Sequence, residues 1–277
     1  MVLRKLVSAL FGLLVAVSIA SAQTVERFIV LASTTSTDQS GLFGHILPLF
    51  KAQTGIEVRV VAVGTGQALQ LGAHGDADAL LVHDRPGEDD LVAKGHALDR
   101  QDVMFNDFVI VGPKDDPAKI AGLTDAKQAL RRIADSHAAF VSRGDDSGTH
   151  RLELRLWKAL PLDIKAAGGD WYRELGTGMG QALNTAAAMN AYLLADRATW
   201  ANFRNRQQLT LLADRDPLLF NPYSSLLVNP GKGAHIHAAD AKIWHDWLRS
   251  AAGRQAITSY KIDGDQLFFI AESASVR

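Results

Sequence analysis

The chain has 277 residues, with 29 basic and 30 acidic side chains and no cysteine. This length is enough for about two domains or lobes with a buried core. The nearly balanced charge argues against nucleic acid or an anionic membrane as a partner, since both attract strongly basic surfaces. Without cysteine there are no disulfides, so the stability of the fold must come from core burial.

The first residues have the features of a secretory signal peptide. Arg4 and Lys5 precede the apolar run 6–20, which ends in a small-x-small cleavage pattern and is too short for a membrane span. We therefore predict a signal peptide over residues 1–22 and an exported mature chain that begins at Gln23. The mature chain has 27 basic and 30 acidic residues, so a bound anion would depend on local donors.

Strands and helices alternate along the first half of the mature chain. We predict strands at residues 27–32, 56–63 and 78–83, and helices at residues 42–50, 67–71 and 88–96. This alternation is typical of a parallel, open α/β sheet, whose ligands bind beyond the carboxyl ends of the strands.

The turn after the first strand is rich in hydroxyl groups. Within eight residues it contains Ser33, Thr34, Thr35, Ser36, Thr37 and Ser40. Hydroxyls and free backbone N–H groups at a helix start form a site for an anion. Capping, the alternative for any single hydroxyl, needs only one or two such residues, so the surplus predicts a ligand.

The ends of the next two strands are less informative. The glycines of Gly64-Thr65-Gly66 let backbone N–H groups approach a ligand, but a dinucleotide site would need a third glycine that residues 67–71 lack. His83 and Asp84 have no nucleophile beside them, so we favour packing or capping over a catalytic pair.

The second half continues the alternation. We predict strands at residues 104–112, 138–141 and 208–213, a short strand or turn at 192–196, and helices at 123–134, 150–160, 182–189 and 197–203. The strand at 104–112 carries the chain into a second lobe, and residues 218–228 carry it back. An amphipathic helix over residues 239–252 is expected to face the core with Ile243, Trp244, Trp247 and Leu248.

Two further helix starts in this half are rich in donors. The turn at residues 142–149 adds the planar guanidinium of Arg143 to the hydroxyls of Ser147 and Thr149, a set suited to an anion with several oxygens. The other start is the glycine-rich segment 177–180. Two lobes with two such starts each predict a clamshell that closes on a small anion.

Taken together, the motifs resemble the periplasmic tungstate-binding component (TupA type) of an ABC importer. The resemblance runs from about Phe28 to Val228 and rests on residues 33–36, 64–66, 142–149, 177–180 and 195–200. Members of that family usually begin the first turn with three threonines. Ser33 takes the first place here, which keeps the hydroxyl and loses a methyl group.

The resemblance implies a type II periplasmic binding-protein fold, with two Rossmann-like lobes and two crossover strands. With the crossings placed above, residues 23–108 and 219–277 form lobe 1 and residues 109–218 form lobe 2. A periplasmic monomer would hold tungstate or molybdate between the lobes and deliver it to a membrane permease, with no cofactor or metal ion. The implied ligand-binding residues are Ser33, Thr34, Thr35, Ser36, Thr65, Gly66, Arg143, Ser147, Gly148, Thr149, Thr177, Gly178, Met179 and Gly180.

The identity of the anion is left open by the sequence. The Arg-x-Asp-x-Ser-Gly-Thr spacing is shared with phosphate binders, and molybdate has nearly the size and charge of tungstate. Hydrogen phosphate benefits from an acceptor carboxylate, whereas fully ionised tungstate needs donors only. Asp145 and Asp146 are candidate acceptors, unless Asp145 only braces Arg143. The all-hydroxyl first turn favours the donor-only site.

An enzyme and a metal site are both disfavoured. The sequence has no Gly-x-Ser-x-Gly elbow, and its histidines lie outside the donor-rich turns. His235, His237 and His245 have no carboxylate or cysteine that completes a ligand set, which favours surface or capping roles.

Overall fold

The computed structural model describes residues 26–270, so the predicted signal peptide lies outside the described residues. The strands are β1 (Phe28–Thr34), β2 (Glu57–Val63), β3 (Ala79–Val82), β4 (Ala97–Pro113), β5 (Phe140–Ser142), β6 (Tyr172–Glu174), β7 (Tyr192–Asp196), β8 (Leu209–Ala213), β9 (Phe220–Val228), β10 (Lys261–Ile262), β11 (Asp265–Gln266) and β12 (Phe269–Ile270). The helices are α1 (Thr35–Gln39), α2 (Leu42–Thr54), α3 (Thr65–His74), α4 (Arg85–Ala93), α5 (Ala126–Ser136), α6 (Gly148–Lys158), α7 (Ile164–Ala167), α8 (Met179–Met189), α9 (Arg197–Asn202), α10 (Ala238–Arg249) and α11 (Ala251–Ser259).

The strands form two sheet regions that share β4. In the first, the order is β2-β1-β3-β9-β4, with β1 parallel to β2 and β3. In the second, β4 pairs with β7 and β8, and β5 lies parallel to both β7 and β6. We call the part built on the first region lobe 1 and the part built on the second lobe 2. The predicted parallel α/β arrangement is therefore present in each lobe.

The chain passes from lobe 1 to lobe 2 along β4 and returns to lobe 1 at the start of β9. The first part of β4 pairs with β9, and from Phe108 onward β4 pairs with β7. Asn106 of β4 lies directly opposite Asn221 of β9 at this passage. Because these two strands join the lobes, we call this region the hinge.

Each lobe has its own apolar core. In lobe 1, Phe50 of α2 packs edge-on against Trp244 of α10, with ring centroids 5.0 Å apart. In lobe 2, Phe140 of β5 packs edge-on against Trp157 of α6 at 5.4 Å. Fully burying side chains of this size stabilises each lobe by roughly 1.5–3 kcal/mol per residue. Rigid lobes can then hold the polar turns at their strand ends in place.

The predicted elements are confirmed in the main, but β4 begins at Ala97 rather than at residue 104, and α7, β6 and the short strands β10 to β12 were not predicted. The C-terminal helix is broken at Ser250, whose hydroxyl accepts a hydrogen bond from Gly253 N and so starts α11. Ile243, which was expected in the core, is 39% exposed, because Trp244 and Leu248 take the inward face of α10. The hydroxyl-rich turn is itself a short helix, α1, and its cap residue is Thr34. Within residues 26–270, no helix is long and apolar enough to cross a bilayer.

A carboxylic acid is buried in the lobe 2 core. Glu153 of α6 accepts hydrogen bonds from Trp157 Nε1 at 3.1 Å and from the Tyr172 hydroxyl at 2.7 Å. Burial raises the pKa of Glu153 to about 7, although hydrogen bonds from Tyr172 and its neighbours oppose the shift. The folded protein therefore binds a proton at this group more tightly than the unfolded chain does.

We expect this group to make the fold more stable in mild acid. Stability from Glu153 is fully present below pH 4.5 and is lost as the pH rises to about 7, by up to roughly 3 kcal/mol. Glu153→Gln keeps the shape and an acceptor but removes the titration. Urea unfolding of the parent and the variant from pH 4.5 to 8 should give curves that diverge over this window, and parallel curves would show that Glu153 titrates normally.

Candidate functional site

Four helix starts meet where the two lobes face each other. Those of α1 and α3 belong to lobe 1, and those of α6 and α8 belong to lobe 2. Four hydrogen bonds join them across the cleft: Gly148 N to Thr65 Oγ1 at 2.6 Å, Gly180 N to Gln39 Oε1 at 2.8 Å, Arg143 Nη2 to Thr35 Oγ1 at 3.0 Å, and Gly66 N to the Asp146 carbonyl at 3.3 Å. The structure is thus a closed clamshell, and the donor-rich turns surround one point.

Arg143 is the central charged group of the cleft. Its side chain is only 1% exposed, and its Nη2 donates to Asp145 Oδ2 at 2.5 Å and to Thr35 Oγ1. Its Nε and Nη1 have no hydrogen-bond partner within residues 26–270. Burial lowers the pKa of the guanidinium, while the charges of Asp145 and Asp196 oppose the shift. An arginine remains protonated in this setting, so the cleft contains a cation with three unmatched N–H groups on two nitrogens.

The carboxylates nearest this cation are occupied by protein donors. Asp145 Oδ1 accepts from Ser147 N at 3.2 Å, and its other oxygen accepts from Arg143. Asp196 is fully buried and accepts from Asn106, Asn221 and Tyr223. Burial raises the pKa of Asp196, and hydrogen bonds from the Thr199 backbone, Asn106 and Tyr223 oppose the shift. Asp145 therefore braces Arg143, as one of the two sequence interpretations proposed.

Several predicted hydroxyls remain available to a ligand. Thr149 Oγ1 and Thr177 Oγ1 are buried and have no hydrogen-bond partner among the described residues. The Thr35 hydroxyl accepts from Arg143, which leaves its own proton free to donate. In the first turns of α6 and α8, Gly148 N, His150 N and Gly180 N already donate to side chains, and the other backbone N–H groups have no partner within their helices. The cleft can therefore surround an anion with neutral donors on both sides of one guanidinium.

Other predicted site residues are used by the fold itself. The Ser33 hydroxyl donates to the Leu81 carbonyl at 2.7 Å, which turns it into the sheet. Ser147 caps α6 by accepting from His150 N. Met179 has its side chain in the lobe 2 core, and Gly178 lies at the start of α8. The remaining members, Thr34, Thr65, Gly66, Gly148 and Gly180, make hydrogen bonds within the cleft wall or across it.

A buried histidine under the hydroxyl turn was not among the predicted site residues. His83 Nε2 lies 3.1 Å from Thr34 Oγ1 and 3.3 Å from Ser36 Oγ, and its ring stacks on Tyr223. Its Nδ1 lies 2.9 Å from Asn221 Oδ1. The sequence favours packing or capping for His83. Its hydrogen-bond neighbours come from distant segments, so no local pattern indicates them.

An ion-pair cluster lies at the rim of the cleft. Arg151 of α6 donates to Asp84 of lobe 1 at 2.5 Å and to Asp146 of lobe 2 at 2.8 Å. Arg155 adds a second, longer contact to Asp84 at 3.3 Å. This cluster ties the two lobes together in the closed form.

The three C-terminal histidines do not come together. His235 bonds to the Gly75 carbonyl, His237 to Asp78, and His245 to Ser225. His245 is fully buried, which corrects the surface or capping role expected for it. Within residues 26–270 there is no group of three potential metal ligands.

Comparison with known proteins gives consistent matches along most of the chain. Residues 19–252 match the model of the PBP superfamily domain. The tungstate-binding protein TupA of Peptoclostridium acidaminophilum is 45% identical over 234 residues, which are 84% of this chain and 81% of that protein.

Solved structures agree with this match. The tungstate-binding protein TupA from Desulfovibrio alaskensis G20 is 39% identical, with a TM-score of 0.75 over 88% of this chain and 99% of that one. The tungstate ABC transporter structure from Geobacter sulfurreducens is 44% identical, with a TM-score of 0.76 over 85% of this chain and 99% of that one. Sequence and structure therefore point to the same relatives.

Proposed function

The chain belongs to the PBP superfamily and, within it, to the family of the TupA proteins, and from this we propose that it captures tungstate for an ABC importer. The type II periplasmic binding-protein fold expected from the sequence is confirmed by the same relatives. The relatives are transport proteins rather than enzymes. The cleft between the lobes is the site at which the anion binds.

The observation that carries this proposal is the buried guanidinium of Arg143. Three of its N–H groups, on Nε and Nη1, have no partner in the part of the chain that the structure describes, and the partnerless hydroxyls of Thr149 and Thr177 belong to the same set of cleft residues. A buried guanidinium that is only partly paired is costly, so an oxyanion that accepts from its remaining N–H groups is a fitting occupant. In the bound state Thr35, Ser36 and the N–H groups at the starts of α6 and α8 supply further donors.

The state of the carboxylates favours a fully ionised anion. Both oxygens of Asp145 accept from the protein, and Asp146 pairs with Arg151 at the rim. Hydrogen phosphate would bring a proton that needs an acceptor, whereas tungstate needs donors only. The donor set of the cleft therefore favours tungstate over phosphate. Molybdate offers the same charge and shape, and nothing in the cleft favours it over tungstate.

Closure of the lobes lets fixed protein dipoles replace the water around a dianion. Moving such an ion out of water costs tens of kcal/mol unless fixed dipoles replace the lost hydration. Each hydrogen bond to a charged group contributes about 1.5–3 kcal/mol net, and exclusion of water strengthens each one. The four bonds that join the helix starts hold these dipoles in place, so binding and closure stabilise each other.

The wider assignment completes the proposal. Among the described residues, we assign 26–108 and 219–270 to lobe 1 and 109–218 to lobe 2. The signal peptide at residues 1–22 exports the chain to the periplasm, where it acts as a monomer. The closed form brings surfaces of both lobes together, and a membrane permease recognises that joint surface.

Calorimetric titration of the mature protein tests the function directly. We expect one site that binds tungstate, with hydrogen phosphate at least roughly 100-fold weaker because the cleft offers its proton no free acceptor. Molybdate is titrated in parallel to measure selectivity. A turnover screen with phosphoesters tests the enzyme alternative, and saturating phosphate binding without any response to tungstate would falsify the proposal.

Substitution of Arg143 tests the central donor. Arg143→Gln removes the charge and should weaken tungstate binding by roughly 100-fold or more, whereas Arg143→Lys keeps the charge, loses the planar fork and should cost roughly tenfold. Arg100→Gln is the matched control, because Arg100 is also nearly buried and pairs with a carboxylate, Glu88, outside the donor turns. Tungstate affinity like that of the parent in Arg143→Gln would reduce this arginine to a brace for the turn.

A glycine at the lobe contact tests closure. A Cβ on Gly66 would lie 2.0 Å from Asp146 Oδ2 and 2.9 Å from Arg151 Nη2, so Gly66→Ala must push the lobes apart or break the rim ion pair. We expect roughly tenfold weaker tungstate binding with little change in the melting temperature of the free protein. Gly44→Ala in α2 is the control, since no atom lies within 4 Å of its added Cβ. Equal affinities in the two variants would contradict the closed geometry.

A further inference from the structure

A chain of buried polar groups runs from the hinge to the hydroxyl turn. At its hinge end, Asp196 Oδ2 accepts from Asn106 Nδ2 at 2.8 Å, from Asn221 Nδ2 at 3.2 Å and from the Tyr223 hydroxyl at 3.0 Å. Asn221 Nδ2 also donates to Asn106 Oδ1 at 2.6 Å. Its amide nitrogen is thus surrounded by acceptors, so the opposite orientation would place two oxygens against each other. The hinge therefore fixes the direction of the Asn221 amide.

This orientation determines where the proton of His83 lies. Asn221 Oδ1 points at His83 Nδ1 from 2.9 Å, and a carbonyl oxygen can only accept. Nδ1 must therefore carry the proton. Burial lowers the pKa of His83 to about 4, with the charge of Arg143 acting in the same direction and Asn221 and Asp84 opposing it. The ring is neutral near pH 7, and its Nε2 carries no proton.

The bare Nε2 faces the hydroxyl turn as an acceptor. Thr34 Oγ1 is its nearer neighbour at 3.1 Å, and Ser36 Oγ lies at 3.3 Å. Thr34 Oγ1 accepts from Thr37 N and also lies 2.7 Å from Thr37 Oγ1 and 3.1 Å from Ser36 Oγ. With Thr37 Oγ1 as the donor in the shorter of these hydroxyl contacts, both lone pairs of Thr34 Oγ1 are occupied, and its proton is directed at the imidazole. Gly148 of lobe 2 closes over the ring, since a Cβ at that position would lie 2.8 Å from His83 Cε1. The hydrogen bonds between His83 and Asn221 and between Thr34 and His83 are direct contacts between protein groups.

We propose that His83 is a positioning residue for the anion: its Nε2 takes the hydroxyl proton of Thr34, which leaves the hydroxyl proton of Ser36 directed into the cleft. This inference rests on the proposed function, because it assigns Ser36 as a donor to the bound tungstate. Without the imidazole acceptor, the Thr34 hydroxyl would compete with Ser36 for the oxygens of the anion, and neither hydroxyl would keep a fixed orientation. His83 acts through its neighbours and does not itself touch the ligand.

Two substitutions separate hydrogen bonding from packing. His83→Phe keeps a ring that can stack on Tyr223 but removes both nitrogens, and we expect at least roughly tenfold weaker tungstate binding. His83→Gln places an N–H toward Asn221 and a carbonyl oxygen toward Thr34, so it should recover most of that loss. His245→Phe is the matched control, because His245 is also buried and bonds to a serine hydroxyl at 2.8 Å, away from the cleft. It should lower the melting temperature and leave the affinity unchanged.

The protonation state has its own measurement. Long-range ¹H–¹⁵N spectra of the full mature chain labelled at histidine should place the His83 proton on Nδ1 and leave Nε2 bare from pH 6 to 8. A proton on Nε2, or a His83→Phe variant that binds tungstate like the parent, overturns the inference and leaves the proposed function intact. A parent protein that does not bind tungstate overturns the proposed function and this assignment with it. If His83→Phe does not fold, His83→Gln and the spectra still test the inference. A folded His83→Gln variant that binds tungstate markedly more weakly than the parent contradicts it.

Discussion

A buried positive charge between two lobes is the constraint on which the rest of the cleft depends. Arg143 is 1% exposed, and burying such an ion costs several kcal/mol unless partners compensate for the lost water. Asp145 and Thr35 compensate at Nη2, whereas Nε and Nη1 have no hydrogen-bond partner among residues 26–270. The unpaired N–H groups that raise the free energy of the site without a ligand are the groups that stabilise a bound oxyanion. Charge burial and ligand capture are therefore one physical requirement in the proposed function.

Closure depends on how closely two backbones can approach. The start of α6 lies against the start of α3 and against His83, and an added Cβ at Gly64 would lie 2.9 Å from the Asp145 carbonyl oxygen. Side chains at such positions would hold the lobes apart and admit water, which would weaken every electrostatic contact in the cleft. The small residues at these helix starts thus serve two purposes, since they expose backbone donors and also permit the contact that dries the site.

The hinge is polar where the strands cross between the lobes. Asn106 and Asn221 face each other on β4 and β9, and both donate to Asp196 at the end of β7. Asp196 also caps α9 by accepting from Thr199 N, and the Thr199 hydroxyl donates to the Ser36 carbonyl of the hydroxyl turn. One buried carboxylate consequently orients groups on both crossover strands and on both lobes. A polar cluster of this kind specifies a single arrangement, because every member must find its partner.

The sequence by itself determined the periodic elements and the four donor-rich helix starts, because hydrophobic spacing and turn composition are local properties. It also supplied the arginine and its bracing aspartate, which are only two residues apart. Only the tertiary structure decided how each hydroxyl is used: Ser33 is turned into the sheet and Ser147 caps a helix, whereas Thr149 has no partner in the described part of the chain. It alone placed His83 beside Asn221, which is 138 residues away. Such contacts depend on strand order and lobe closure, and no local pattern encodes them.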